Sequence, residues 1–265
     1  MRIISVTGTA SDAGKTTVAS FILRNLPEQT YSFIGKRLQA ANERAGSLIK
    51  HKGGASPYYD NAENEYELLN HRSGWGALKI TVRHEGPCPR HGHRHTECDT
   101  CDSVNEPYKI STSDDVIKEK GKDTGHLSRA GAGKVVWLQT DSKAEKAGLK
   151  AALSCFGKEH SIIVEGNSFL RVRDANVAIM VASPSVKKIK KSAAFLLKKN
   201  KIDFVAINVT SNHTPEQIEE CSERLRDISR NVPDFVINPF MEDGFSNQAF
   251  IDKIQELLRI PIIGS

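Results

Sequence analysis

The chain has 265 residues, of which 38% are hydrophobic and 26% charged, and its formal net charge is +5. This length can bury the core of one large domain, and the composition excludes collagen, coiled coil and wholesale disorder. No apolar run approaches the roughly 20 residues of a membrane helix, and Met1 leads straight into RIISVTG with no secretory apolar region, so a cytoplasmic protein without a membrane partner is expected. The mild positive charge suits anionic ligands, and nucleic acid is not expected as a partner.

Residues 2–7 (RIISVT) form a β-rich run ending at Gly8, and from Gly14 the pattern turns helical, with Val18, Phe21, Ile22 and Leu26 at helical spacing up to Pro27. Between them, residues 8–17 read GTASDAGKTT. A strand, a glycine loop ending in Gly-Lys-Thr and then a helix is the phosphate-cradling arrangement. The usual spacing has four residues between the glycines; here five separate Gly8 from Gly14, and Thr9 stands where the first glycine would be. Gly14 lets backbone N–H groups approach phosphate, Lys15 reaches the β- and γ-phosphates, Thr16 offers a hydroxyl to Mg²⁺, and Thr17 meets the α-phosphate. The expected contact set is Gly8, Thr9, Asp12, Ala13, Gly14, Lys15, Thr16 and Thr17, with Asp12 as a further Mg²⁺-side group.

Residues 31–35 (YSFIG) read as a second strand, and Lys36 at its end is placed to face the γ-phosphate. The stretch 38–120 breaks the pattern: polar helical material, a Gly/Ser/Pro loop, one strand at 77–83 and then CPRHGHRHTECDTC at 88–101. It reads as an insertion on the ligand-binding edge of a single domain spanning 1–265. Cys88-x₂-His91 and Cys98-x₂-Cys101 are two knuckle-like pairs, and thiolates with imidazole suit Zn²⁺, with His93 and His95 as spare ligands.

Strands at 134–139, 160–164, 176–182, 203–209 and 234–238 then alternate with helices near 143–156, 185–199, 215–229 and 246–258. That alternation predicts an α/β fold with a doubly wound, mostly parallel sheet, here of the P-loop NTPase type with an inserted metal-binding subdomain. The strand IIVEG ends in Glu165, the expected catalytic and Mg²⁺-side carboxylate, with Lys15 as the other catalytic residue. The Lys-rich stretch 187–201 reads as a solvated amphipathic helix, with Ser183-Pro184 as its cap and first turn. Asn-Lys-Ile-Asp at 200–203 matches a guanine-recognition pattern but precedes a strand, at the wrong edge of the sheet. The base is expected at Asn208 or Asn238.

The loop spacing G-T-x-x-x-x-GKT, with VEG at 164–166, resembles dethiobiotin synthetase and the wider class that includes metallocentre-assembly NTPases and septum-site ATPases. One branch of that class carries a second loop lysine that reaches across a dimer; here that position is Ala10. Residues 121–132 (GKDTGHLSRAGA) resemble the GKD…AGA segment of the molybdopterin-guanine dinucleotide biosynthesis B family, GTP-binding adaptors. That resemblance implies that Lys122 and Asp123 lie near the nucleotide and that a helix over 124–130 packs beside it. The departures are Asn167-Ser168-Phe169 after VEG, the lack of histidines after Lys36-Arg37 (with His84 as an alternative), and the long sheet that follows Gly166. The resemblances imply Mg²⁺ with ATP or GTP and a role in molybdenum cofactor biosynthesis. An ATP-dependent ligase or kinase of dethiobiotin synthetase type and a metal-insertion switch stand as alternatives. A molybdopterin-related small molecule, a partner enzyme and a second copy of the chain are the partners left open.

Overall fold

A strand whose residues are buried on both faces belongs to a sheet covered by helices on both sides. Every residue of β1 (Ile3–Gly8) and of β6 (Val177–Ala182) is buried. The structure, a computed structural model, describes residues 1–26, 73–83, 106–157, 161–229, 234–241 and 245–259. Its other strands are β2 (Ser73–Arg83), β3 (Tyr108–Ser111), β4 (Ala132–Asp141), β5 (Ser161–Glu165), β7 (Phe204–Asn208) and β8 (Asp234–Ile237). They form one eight-stranded sheet in the order β3-β4-β2-β5-β1-β6-β7-β8. All neighbours pair in parallel except β3, which runs antiparallel to β4 at one edge.

The helices are α1 (Lys15–Asn25), α2 (Asp114–Ile117), α3 (Asp123–Arg129), α4 (Glu145–Ser154), α5 (Phe169–Val172), α6 (Lys191–Lys198), α7 (Pro215–Arg226) and α8 (Asn247–Arg259). Side chains alternate across the sheet, so each strand feeds two cores. Val177, Ile179 and Val181 of β6 pack with Ile22 of α1, Leu127 of α3 and Phe250 of α8. Ala178, Met180 and Ala182 face the other way, towards Leu149 of α4, Leu197 of α6 and Leu225 of α7. The doubly wound, mostly parallel α/β architecture expected from the alternation is what forms.

Three local differences matter. The strand expected at 77–83 was read as part of an edge insertion; it is β2, which runs from Ser73 and lies inside the sheet between β4 and β5. Residues 108–111 of the same stretch form the antiparallel edge strand. Residues 38–72 and 84–105 of that stretch lie outside the described residues, as do the 31–35 strand, Lys36 and the Cys88, His91, Cys98, Cys101 set. The helix expected over 185–199 begins only at Lys191, with Lys190 and not Ser183 at its cap. The cause is tertiary: the Lys190 amide donates to the Thr9 carbonyl at 2.8 Å and so holds the chain against the loop after β1. By contrast α7 starts where a local signal says it should, at Thr214, whose hydroxyl and Gln217 form a capping box ahead of Pro215. No helix among the described residues is long and apolar enough to cross a membrane.

One aromatic cluster closes the far end of the first core. Phe250 is fully buried, with its ring edge-on to Phe204 at 5.6 Å and to Phe235 at 6.1 Å. Phe250→Ala should therefore cost about 3–5 kcal/mol of unfolding free energy, measured by urea denaturation.

Candidate functional site

The carboxyl ends of β1, β5, β2, β6 and β7 lie side by side, the edge of a doubly wound sheet where ligands bind. The loop from Gly8 to Gly14 connects β1 to α1 there. Gly14 caps α1 with φ +88°, a left-handed conformation that disfavours a side chain. A Cβ at Gly14 would come within 2.0 Å of Asn208 Nδ2, and one at Gly8 within 2.7 Å of Lys15 Cγ. A Cβ at Gly14 or Gly8 would thus push against Asn208 or Lys15, and at Gly14 it would also be strained by the left-handed backbone.

The start of α1 has no side-chain cap and no acid in its first turn. Its first N–H groups are therefore open to an anion, and the helix dipole favours one there. Lys15 Nζ folds back on the loop, donating to the carbonyls of Ala10 at 3.1 Å and Ser11 at 3.0 Å. Burial holds its pKa below the ordinary lysine value; the Lys79 and Lys190 charges add to this, against the pull of Glu165 and Asp123.

Thr16 and Glu165 meet. The Thr16 hydroxyl donates to Glu165 Oε2 at 2.9 Å, joining the first turn of α1 to the end of β5. Glu165 is 1% exposed, and its other oxygen accepts from Lys79 Nζ, which also donates to Asp123 Oδ2 at 2.5 Å. Burial opposes a charge on Lys79, but the Glu165 and Asp123 carboxylates and their hydrogen bonds more than offset it, so its pKa lies above 10.5. A hydroxyl and a carboxylate on one side of a phosphate cradle are hard oxygen donors of the kind Mg²⁺ takes, so the residues fit that ion. Among the described residues no group of three or more His, Cys, Asp or Glu gathers as a metal site. Cys155 and Cys221 are free.

Asn167 clamps the loop's entry. Its Oδ1 accepts from the Gly8 amide at 2.8 Å and its Nδ2 donates to the Gly8 carbonyl at 2.9 Å. Thr9 is buried, its amide donating to Val181 and its carbonyl accepting from Lys190; Ala13 is buried, its carbonyl accepting from Asn208 Nδ2 at 3.3 Å. On the outer side, Asp12, Gly14, Thr17, Asn208, His213 and Phe240 line a cavity of about 480 Å³. Asn208 Oδ1 is buried in its wall with no hydrogen-bond partner among the described residues. The other base-side expectation, Asn238, does not share that geometry: its amide accepts from Phe240 and its backbone is held by Asn247, so it orders the β8 turn. Of the 121–132 pair, Asp123 joins the ion triad, whereas Lys122 pairs with Glu119 at 3.0 Å and lies over the Trp137 ring. The Asn-Lys-Ile-Asp pattern sits at the opposite edge, where Asp203 accepts from the Ala178 amide at the start of β6.

Lys79 and Asn167 were not among the residues expected at the site. A signal for Lys79 existed: it is a lone cation inside an apolar strand pattern, and such a residue needs a buried partner. Asn167 follows the acid by two positions and offered only its amide.

No family model matches the chain, and no curated protein does. Among solved structures it is similar to one described as a LAO/AO transport system kinase, at 15% identity and TM-score 0.43. The match covers 97% of this chain and 59% of that one, so the chain spans about 59% of that protein's length.

The ion triad yields a stability prediction. Lys79→Met leaves the buried Glu165 without its cation and should cost about 3–5 kcal/mol. A lysine with a raised folded pKa stabilises fully below its unfolded value, here 10.5, and that contribution is lost as pH rises through the folded value. Thermal unfolding should therefore show wild type losing stability above that pH more steeply than the variant. Equal stability of the two proteins at neutral pH would contradict the triad's role.

Proposed function

We propose that the chain binds a Mg²⁺-nucleoside triphosphate on the 8–17 loop and slowly hydrolyses its terminal phosphate. The observation that carries this reading is the Thr16–Glu165 hydrogen bond of 2.9 Å at the head of an uncapped, acid-free helix. Thr16 and Glu165 would hold Mg²⁺, which when bound neutralises phosphate charge. The open N–H groups of α1 receive phosphate oxygens, and Gly14 keeps the backbone close to them. Lys15 exchanges the Ala10 and Ser11 carbonyls for the β- and γ-phosphates, where its charge is worth more than against neutral carbonyls. Lys79 pairs with the other Glu165 oxygen and fixes the direction of the carboxylate. Asn208 Oδ1 is free to accept an N–H from a base edge, and Phe240, 73% exposed, offers a ring face beside the same cavity. Adenine and guanine both carry N–H donors, so ATP and GTP are to be separated by titration.

Within this reading, a role in molybdenum cofactor biosynthesis is supported by the 121–132 resemblance together with the position of Asp123 beside Lys79 and Glu165. A ligase or kinase of dethiobiotin synthetase type would use the same segment as a wall for its second substrate. A metal-insertion switch would instead depend on an ion such as Zn²⁺ held by Cys88, His91, Cys98 and Cys101, which elemental analysis of the purified chain tests directly.

Two variants test the core of the proposal. Lys15→Ala should lower affinity for Mg²⁺-ATP and Mg²⁺-GTP by a few kcal/mol in calorimetric titration, with the circular dichroism of the chain unchanged. Glu165→Gln should keep nucleotide binding within about tenfold while turnover falls by about a hundredfold or more, read by phosphate release. Undiminished affinity in the first variant, or surviving turnover in the second, would remove the corresponding residue from its role.

A further inference from the structure

The phosphate loop is touched from outside by a residue that the reading above does not use. Lys190 lies in the segment between β6 and α6, held there by its amide's bond to the Thr9 carbonyl at 2.8 Å. Its side chain crosses to the loop tip, where Nζ donates to Ser11 Oγ at 2.6 Å. Lys15 Nζ rests on the carbonyl of the same Ser11 at 3.0 Å. Two ammonium groups from distant parts of the chain therefore converge on one loop residue.

Resting on the Mg²⁺-nucleotide reading, we propose that Lys190 is a second phosphate-contacting cation, supplied in cis, and that it selects nucleoside triphosphate over diphosphate. Among the described residues the Lys190 ammonium meets only a neutral hydroxyl, at the tip of the loop that Lys15 also contacts. A hydroxyl satisfies one N–H and leaves the charge uncompensated, next to a second cation whose own charge is disfavoured by burial and by Lys190. An anion between the two removes that repulsion.

Lys15 is the contact to the β- and γ-phosphates in a loop of this kind, and it lies on the Ala10 and Ser11 side, whereas Thr17 and Gly14 open to the cavity that contains Asn208 and Phe240. The phosphate chain thus runs from the cavity towards Ser11, and Lys190 stands at its terminal end. The Lys190 residue is exposed, so only a single hydroxyl bond has to be exchanged for a charge-assisted bond to phosphate. The backbone anchor at Thr9 stays in place while the side chain turns.

The test uses the full chain. Mg²⁺-ATP, Mg²⁺-GTP and the matching diphosphates are titrated into wild type, Lys190→Met, Lys190→Gln, Lys190→Arg and Lys188→Met, each checked by circular dichroism. Lys188 is an exposed neighbour with no bond to the loop, and so controls for the general field of the lysine-rich segment. The expected result is a wild-type preference for triphosphate that falls about tenfold or more in the Met and Gln variants, survives in Arg and is unchanged in Lys188→Met. Three results overturn the proposal: no triphosphate preference in wild type, an unchanged preference in both neutral variants at 190, or an equal loss in Lys188→Met, which would assign the effect to diffuse charge. If wild type binds no nucleotide of either kind, the phosphate-loop reading itself falls, and this inference falls with it. Binding of all four nucleotides without the Lys190 effect leaves that reading standing and removes only this one.

Discussion

A carboxylate that is 1% exposed needs cations and donors brought to it, and much of the site is arranged by that requirement around Glu165. Lys79 comes from the neighbouring strand β2, where its Cα is the direct register partner of Glu165. Asp123 comes from the first turn of α3, and the Thr16 hydroxyl from the first turn of α1. One buried charge thus ties three strands and two helices at the sheet's carboxyl edge, since β1 lies in register on the other side of β5. It also explains why a lysine interrupts an otherwise apolar strand.

The loop itself is held by side-chain amides together with main-chain hydrogen bonds. Gly8 is gripped by the Asn167 amide on both of its backbone groups, Thr9 by Val181 and Lys190, and Ala13 by Asn208. The Gly8, Thr9 and Ala13 carbonyls are occupied in this way, whereas the start of α1 has no side-chain cap, and uncapped helix amides are donors of the kind an anion takes. The glycine at 14 then serves two ends, admitting the left-handed turn and leaving room for Asn208.

Legibility followed the range of the forces involved. Alternating apolar strands and amphipathic helices are local patterns, and most of them could be read along the chain to within a few residues. The Gly-Lys-Thr triplet was legible because its chemistry is contiguous, and Glu165 because an acid closing an apolar strand is conspicuous. Lys79 was hidden in a stretch whose polar surroundings made it look like part of an insertion, although Ser73–Arg83 is a central strand. The start of α6 was misplaced because Ser183-Pro184 is a good local cap, while a single bond from Lys190 to Thr9, far away in sequence, keeps the intervening residues out of the helix. Neither partner choice is encoded in spacing; both depend on which strands become neighbours.

The clamp of Asn167 on Gly8 makes the loop's entry depend on the integrity of one side-chain amide. A side-chain amide presents one acceptor and one donor, and here it imitates a peptide group, adding a rung to the end of β1 with Oδ1 on the Gly8 N–H and Nδ2 on the Gly8 carbonyl. A carboxylate of the same shape has two acceptors and no donor. Loss of ammonia from this one side chain, with no change in chain length or core packing, would therefore set two oxygens against each other beside Gly8 and bring a negative charge to the entry of the loop.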